Sequence, residues 1–175
     1  MAKNRILIVE DDKDIAESVG LNLDLSGYDY TIIDDGLAAV EHLTTDHSYD
    51  LALLDVMLPG LDGFALMEHM QKYNIPALYL TAKTDVNSRI RGLRDGAEDY
   101  IIKPFEMLEL LVRIEKILER TGKLNKILRY RDITVDTEKR TVMKAGKAIP
   151  LQPLEFDLFA MFLRFKNCTL SRERL

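Results

Sequence analysis

Short apolar runs alternate with helical periodicities along the first 120 residues of the chain. Between the runs, apolar residues recur every three or four positions, which is the spacing of one helical face. Strand and helix therefore alternate five times, and this alternation predicts a parallel sheet with helices on both faces. The predicted strands are Arg5–Glu10, Tyr30–Ile33, Leu51–Leu54, Ala77–Leu80 and Tyr100–Ile102. The helical faces pass through Ile15, Val40, Phe64, Ile90 and Leu108.

The pattern changes near Arg120–Lys123, where a Thr-Gly pair separates two kinds of sequence. Beyond it, short β-type segments are separated by polar turns, as in a small antiparallel sheet. A helical stripe follows and is predicted to face a core. Ser171 is then a candidate N-cap, which predicts that the chain breaks off at the opening of a second helix. The stripe consists of Leu154, Leu158, Met161 and Phe162.

Charge follows the same division of the chain. Residues 1–122 contain 12 Lys and Arg against 23 Asp and Glu, whereas residues 123–175 contain 12 against 6. An acidic body followed by a basic segment indicates two units with different partners, and the basic unit either faces nucleic acid or is an ordinary solvated surface. We predict a first domain at 1–121, a linker at 122–126 and a second domain at 127–175.

Composition narrows the class of protein. The chain is 47% hydrophobic and 30% charged, as in soluble globular proteins. Its apolar runs fall short of the roughly 18 residues that a membrane span needs. The start, MAKNRILIVEDD, reaches acidic residues too early for a secretory signal. We therefore expect a cytoplasmic protein that does not enter a membrane.

Polar side chains follow four of the predicted strands. The acidic run Glu10–Asp12 ends the first strand, Asp55 the third, Thr81 the fourth and Lys103 the fifth. Ligands of open parallel sheets bind beyond the carboxyl ends of the strands, where these groups would meet. Clustered carboxylates repel each other, and a hard divalent cation relieves that repulsion. The combination indicates transfer of a phosphoryl group, with Lys103 as its counter-charge.

Residues 1–120 resemble the receiver domain of two-component response regulators. The matching segments are LIVEDD (7–12), LLDVMLPGLDG (53–63), LTAK (80–83) and GAEDYIIKPF (96–105), in the same order and with the same spacing. Residues 127–175 resemble, more loosely, the first half of an OmpR/PhoB-type winged-helix DNA-binding domain. The resemblance implies a doubly wound (βα)5 sheet of the flavodoxin/CheY type, followed by a truncated winged-helix domain that starts with a small antiparallel sheet.

The resemblance also implies a phosphoacceptor and a metal. Asp55 would accept a phosphoryl group from a sensor histidine kinase. Asp12, Asp55 and the backbone carbonyl of Met57 would coordinate Mg²⁺, or Mn²⁺ in its place, and Asp11 would contribute through water. The chain would catalyse only its own phosphotransfer and dephosphorylation, so it would not be an enzyme in the usual sense.

The resemblance also implies that three further residues respond to the phosphoryl group once it is bound. Lys103 would contact it as a point charge, and the bond from Lys103 to Pro104 would be cis. Thr81 would move towards the phosphoryl group, and Tyr100 would swing inward behind it. These movements would link phosphorylation to the surface of the domain.

Dimerisation is the expected result of that movement. In the family, two receivers pair symmetrically through the fourth helix, fifth strand and fifth helix. Complementary charges occupy the matching positions here, and one pair has its signs opposite to the commoner arrangement, which would disfavour mixed dimers with related regulators. The pairs are Arg89 with Glu109, Asp99 with Arg113, Glu98 with Arg120, and Arg94 with Glu115, the last being the reversed one.

The resulting prediction is a phosphorylation-controlled transcriptional regulator whose intact form binds promoter DNA. The base-reading helix and the wing would follow Leu175, so no DNA-recognition residue is expected in this chain. A stand-alone receiver that acts through protein contacts alone is the alternative.

Two enzyme classes share part of the layout and fit less well. A dinucleotide-binding enzyme needs a glycine-rich turn after the first strand, where this chain has Glu10–Lys13. A phosphatase of the haloacid dehalogenase type resembles the Asp55 site but carries a second Asp two residues later as acid and base. Met57 occupies that position and transfers no protons.

Overall fold

The computed structural model describes residues 3–82 and 96–165. Within these residues the predicted alternation of strands and helices is confirmed, and five parallel strands form one sheet in the order β2-β1-β3-β4-β5. The helix predicted around Ile90 lies outside the described residues. The elements of this part are β1 Arg5–Val9, α1 Lys13–Leu25, β2 Asp29–Ile33, α2 Gly36–Thr45, β3 Leu51–Asp55, α3 Gly63–Lys72, β4 Ala77–Thr81, β5 Asp99–Ile102 and α4 Met107–Arg120.

The central strands are apolar throughout because both faces of the sheet are covered. Every residue of β3 and β4 is buried, and four of the five in β1 are. On one face, Leu7 and Leu54 pack in a core that also contains Leu43 of α2 and Met70 of α3. Side chains alternate along each strand, so Ile8 points to the opposite face. The core thus holds the strand ends in a fixed arrangement.

Two aspartates set the starts of α2 and α3 at the carboxyl edge of the sheet. Asp35 Oδ1 accepts a hydrogen bond from the Ala38 amide at 2.9 Å, and Asp62 Oδ1 accepts one from the Ala65 amide at 2.8 Å. Both are N-caps, which satisfy amides that a helix start leaves without partners. The loop before each helix is therefore fixed at one end by its strand and at the other end by its N-cap.

A network at the opposite edge of the sheet secures the segment after α4. The buried Asn4 side chain donates to Asp50 Oδ2 at 2.9 Å and to the Lys123 carbonyl at 2.7 Å. Lys123 Nζ donates to the Asn74 carbonyl at 2.8 Å. Both the backbone and the side chain of Lys123 are thus attached to loops below the strands.

The chain divides into two compact units, and Asn125 begins the final stretch of the second. That unit has an antiparallel sheet in the order β6-β7-β8-β9, followed by one described helix. Among the helices in the described parts of the chain, none has the length and apolar character to cross a membrane. The elements are β6 Ile127–Tyr130, β7 Ile133–Asp136, β8 Thr141–Lys144, β9 Lys147–Ile149 and α5 Pro153–Arg164.

The face of α5 that packs on this sheet differs from the predicted stripe. Phe156 and Ala160 are buried with Val135 and Val142, whereas Leu154 is 68% exposed and Phe162 is 49% exposed. The prediction of those two residues as core was wrong. Because apolar residues occur on several sides of α5, their spacing does not decide which side meets the sheet.

An ion pair near the start of β1 gives a pH-dependent prediction. Arg5 Nη2 lies 2.8 Å from Asp46 Oδ2. Hydrogen bonds, first from Arg5 and then from Ser48, hold the pKa of Asp46 well below its usual range. A depressed carboxylate pKa stabilises the fold above the unfolded value of about 4, and this contribution disappears as the pH falls through the folded value.

Asp46→Asn should therefore lower the urea midpoint at pH 7 and have progressively less effect below about pH 4. The loss should not exceed about 1 kcal/mol because both side chains are about one-third exposed. Urea unfolding of the wild type and the variant at pH 7 and pH 3 measures it. A difference in midpoint of equal size at both pH values would contradict this assignment.

Candidate functional site

The carboxyl ends of β3 and β5 bring a carboxylate and an ammonium group together. Asp55 is the last residue of β3 and is 5% exposed, and Lys103 follows β5 directly. Lys103 Nζ lies 2.5 Å from Asp55 Oδ2, and the peptide bond from Lys103 to Pro104 is cis, as the resemblance implied. A buried carboxylate is costly without a partner, and this contact supplies one.

A group of three carboxylates surrounds this contact. Glu10, Asp11 and Asp55 each place one ligand oxygen within 4.8 Å of the others. Lys103 Nζ hydrogen-bonds Glu10 Oε1 at 2.7 Å and lies 2.6 Å from Oε2 without hydrogen-bond geometry. Oε2 is thus a buried oxygen that makes no hydrogen bond within the described structure. The candidate ligand atoms of these three side chains are all carboxylate oxygens, which Mg²⁺ and Mn²⁺ prefer, so this group fits a divalent cation.

The Asp12 carboxylate is not part of this group, although the Asp12 amide donates to Glu10 Oε1 at 3.3 Å. Its Oδ1 accepts hydrogen bonds from the amides of Asp14 at 3.0 Å and Ile15 at 3.1 Å, as an N-cap of α1 does. The acidic group thus contains Glu10, which the sequence analysis placed at this edge but not among the metal ligands, and it does not contain the Asp12 carboxylate. The signal was present, because an Asp directly before an amphipathic helix is a preferred N-cap.

Burial and charge shift the pKa values of two groups in the site. Burial raises the pKa of Glu10 to about 7, against the lowering effect of the hydrogen bond from Lys103 and with the help of the charge on Asp55. Burial lowers the pKa of Lys103, but hydrogen bonds and charges of Asp55 and Glu10 more than offset this, so its pKa is raised. Lys103 therefore remains a cation at neutral pH.

Met57 lies at the rim of the site. Its amide donates to Asp55 Oδ1 at 2.8 Å, and its side chain is 74% exposed. Within the part of the chain that the structure describes, its carbonyl accepts no hydrogen bond. The carbonyl is therefore available for another partner, and Asp55 is held at both carboxylate oxygens.

Thr81 and Tyr100 lie on β4 and β5 beside this site. Thr81 is the buried last residue of β4, and its carbonyl accepts the Lys103 amide at 2.7 Å. Tyr100 is half-buried and packs against the core that contains α2 and α3. β4, which carries Thr81, pairs with β3, and β5, which carries Tyr100, pairs with the other side of β4.

The predicted dimer-face residues Glu98, Asp99, Glu109, Arg113 and Arg120 form ion pairs within the chain. Arg113 lies 2.6 Å from Asp99 and 2.7 Å from Glu109, and Arg120 lies 2.6 Å from Glu98. Two of the four predicted pairs thus occur between the same residues inside one chain. Arg89 and Arg94 lie outside the described residues, so the pairs that involve them, including the one with Glu115, are not described.

Comparison with known proteins decides the family. The family described as "Response regulator receiver domain" matches residues 6–115. This chain belongs to the response regulator family. The response regulator is 38% identical to the "Uncharacterized transcriptional regulatory protein YkoG" of Bacillus subtilis, covering 100% of this chain and 79% of that protein. It is 35% identical to "Transcriptional regulatory protein CseB" of Streptomyces coelicolor, covering 99% and 80%.

Solved structures agree with the sequence relatives. The response regulator 1452 receiver domain of Francisella is 35% identical with a TM-score of 0.63, covering 68% of this chain and 99% of that one. DrrB, an OmpR/PhoB homolog of Thermotoga maritima, is 28% identical with a TM-score of 0.61, covering 98% and 77%. The response regulator is therefore OmpR/PhoB-like, and its curated relatives are regulators of transcription and not classical enzymes.

Proposed function

We propose that this response regulator is switched by transfer of a phosphoryl group from a sensor histidine kinase to Asp55. The contact between Asp55 and Lys103, inside a group of acidic side chains at the strand ends, carries the proposal. The transcriptional relatives support an output at promoter DNA. The same site would later release the phosphoryl group to water, so the chain would act only on its own modification.

The transfer would use Asp55 as a nucleophile. A carboxylate oxygen attacks the phosphorus of the kinase phosphohistidine, and the new O–P bond forms as the N–P bond breaks. The electron pair returns to the imidazole, which takes up a proton. Lys103 balances the charge of the transferred oxygens, and the Met57 amide orients the carboxylate. Positioning and charge supply most of the catalysis of such a step.

The residues that would hold Mg²⁺, or Mn²⁺, are Glu10, Asp11, Asp55 and the carbonyl of Met57. The geometry favours Glu10 in the place first given to Asp12. When bound, the cation neutralises the oxygens of the phosphoryl group. Mg²⁺ keeps several water ligands, and Asp11, which is exposed, has room to act through one.

Thr81 and Tyr100 would carry the response away from Asp55. The Thr81 hydroxyl would move towards the phosphoryl group and donate to one of its oxygens. Tyr100 would then move inward from its half-buried position. Such a switch needs two states with different affinities for a partner, and a second receiver is the partner we propose.

A test of phosphotransfer uses acetyl phosphate as the donor and intact mass as the readout. We expect a gain of one phosphoryl group in the presence of Mg²⁺ and none when a chelator removes the metal, because clustered negative oxygens repel without a cation. Protein that stays at its original mass with Mg²⁺ and excess donor would contradict the proposal.

Dimerisation is the second part of the proposed response. The face consists of residues from β5, α4 and the segment before β5: Arg89, Arg94, Glu98, Asp99, Glu109, Arg113, Glu115 and Arg120. Partly exposed ion pairs contribute little each, roughly 0–1 kcal/mol. The pairs of Arg113 and Arg120 exist within the chain already, so pairing across the interface would exchange them and add little affinity. Phosphorylation must therefore expose or rearrange apolar contacts as well.

Light scattering measures this response. We expect a shift from one-chain to two-chain mass when beryllofluoride and Mg²⁺ mimic the phosphoryl group. Arg113→Glu should weaken the dimer, since it places a third acidic group beside Asp99 and Glu109. Lys116→Glu, on the exposed side of the same helix, is the matched control. A monomer that is unchanged by the mimic would refute this part of the proposal.

A further inference from the structure

The loop at residues 56–62, here named the β3–α3 loop, carries the Met57 carbonyl. Its ends are attached to the sheet and to α3. The Val56 amide donates to the Leu80 carbonyl at 3.1 Å, and the Gly63 amide donates to the Val56 carbonyl at 3.2 Å. Leu58 and Leu61 pack in part against the core, and the exposed Pro59 and Gly60 between them are held by a further contact.

The first turn of α2 holds that middle part. The Gly36 amide donates to the Pro59 carbonyl at 3.2 Å, and the Leu61 amide donates to the same oxygen at 2.8 Å. The Pro59 carbonyl thus ties the start of α2 to the loop and also closes a turn within the loop. Pro59 and Gly60 are exposed, so the hydrogen bond from α2, and not burial, holds this part of the loop in place.

The two backbones approach so closely that only glycine fits. A Cβ atom on Gly36 would lie 2.0 Å from the Leu61 carbonyl oxygen, a backbone atom that no side-chain rotation removes. On the loop side, Gly60 has a φ of +75°, and a Cβ there would lie 2.8 Å from Asp35 Oδ2. Glycine is thus required on both sides of one contact.

We propose that Gly36 is a positioning residue for the cation site, acting through the β3–α3 loop. This inference rests on the proposed function of that site. Gly36 is remote from the candidate ligands in sequence, but it sets the path of the loop that presents the Met57 carbonyl. Mg²⁺ demands near-ideal octahedral geometry with ligands at about 2.0–2.1 Å, so a small displacement of one oxygen weakens binding.

A methyl group at Gly36 should displace the loop and not the helix. Ala39 and Leu43 anchor α2 in the core with no exposed surface. The loop is anchored less firmly, because Leu58 and Leu61 are only partly buried and Pro59 and Gly60 are exposed. Close packing makes the core the stiffer partner. The Met57 carbonyl would therefore move relative to the carboxylates of Glu10, Asp11 and Asp55.

The test is a titration of the full chain with Mn²⁺, in which the electron paramagnetic resonance signal of free Mn²⁺ measures binding. Gly36→Ala should raise the dissociation constant about tenfold or more, the usual scale for losing support around a metal site. Gly20→Ala is the matched control, since Gly20 is also buried in a helix, but the three atoms nearest to its Cβ would belong to the side-chain ring of the exposed Tyr30. The control should bind Mn²⁺ like the wild type.

Urea unfolding separates positioning from a general loss of stability. If Gly36→Ala does not fold, Gly60→Ala tests the same contact from the loop side. Folded variants of both glycines that bind Mn²⁺ as the wild type does would overturn the inference, whatever their urea midpoints. Wild-type protein that binds Mn²⁺ but takes up no phosphoryl group from acetyl phosphate would instead overturn the proposed function and leave the positioning role intact.

Discussion

Asp55→Asn is expected to abolish uptake of the phosphoryl group from acetyl phosphate. The amide has no charged oxygen to attack phosphorus, so the nucleophile is lost. The variant should fold, because Asn retains an oxygen that can accept the Met57 amide now bonded to Asp55 Oδ1. Intact mass after incubation with Mg²⁺ and donor measures the loss, and circular dichroism checks the fold.

Asp62→Asn is the matched control for this variant. Asp62 lies in the same loop region, but its Oδ1 caps α3 through the Ala65 amide. Asn is as good an N-cap as Asp, so folding and phosphoryl uptake should both be retained. Incorporation that persists in Asp55→Asn would show that another residue is the acceptor.

Lys103→Met is expected to have two large and separable effects. In metal-free protein at pH 8, it should lower the free energy of unfolding by about 3 kcal/mol, since it leaves buried acidic groups without their cation. At that pH Glu10, whose pKa is raised to about 7, is ionised along with Lys103. Phosphoryl uptake should also slow at saturating Mg²⁺, because the counter-charge of the transferred oxygens is gone.

Mn²⁺ binding distinguishes a specific role of the Lys103 charge from general misfolding of the Lys103→Met variant. Removing Lys103 leaves the carboxylates more negative, so Mn²⁺ should bind at least as tightly as in the wild type and restore part of the lost stability. Lys116→Met, which removes an exposed lysine of α4, should change neither property. Stability and uptake equal to the wild type in Lys103→Met would contradict the proposed role of Lys103.

Much of the first unit follows from the sequence for physical reasons. Strands covered on both faces must be apolar throughout, and LALL before Asp55 satisfies this requirement. Parallel strands all end at one edge, so the order of the strands was enough to bring Asp55 and Lys103 together. The family resemblance added the cis bond at Pro104 and the layout of the second unit.

The sequence was less informative wherever a shift of one residue along a strand or helix changes which side chain enters the site or the core. Three consecutive acids follow β1, and only the start of α1 at Lys13 shows that Asp12 caps a helix while Glu10 remains beside Lys103. In α5, apolar residues on several sides hid the face that Phe156 and Ala160 bury.

The contact of Gly36 with the Leu61 carbonyl was also beyond sequence reasoning. It joins backbone to backbone, so it leaves no hydrophobic or charge pattern. A glycine at the start of a helix has many uses, and the fold alone shows which of them applies here.

The central claim, that Asp55 is the phosphoacceptor, is tested most directly by trapping the modified residue. Protein phosphorylated with acetyl phosphate and Mg²⁺ is reduced with borohydride, which converts an acyl phosphate to an alcohol, and is then digested and mapped by mass spectrometry. We predict that the reduced residue is Asp55. A reduced residue at Glu10, Asp11 or elsewhere in phosphorylated protein, with Asp55 unmodified, would contradict the claim.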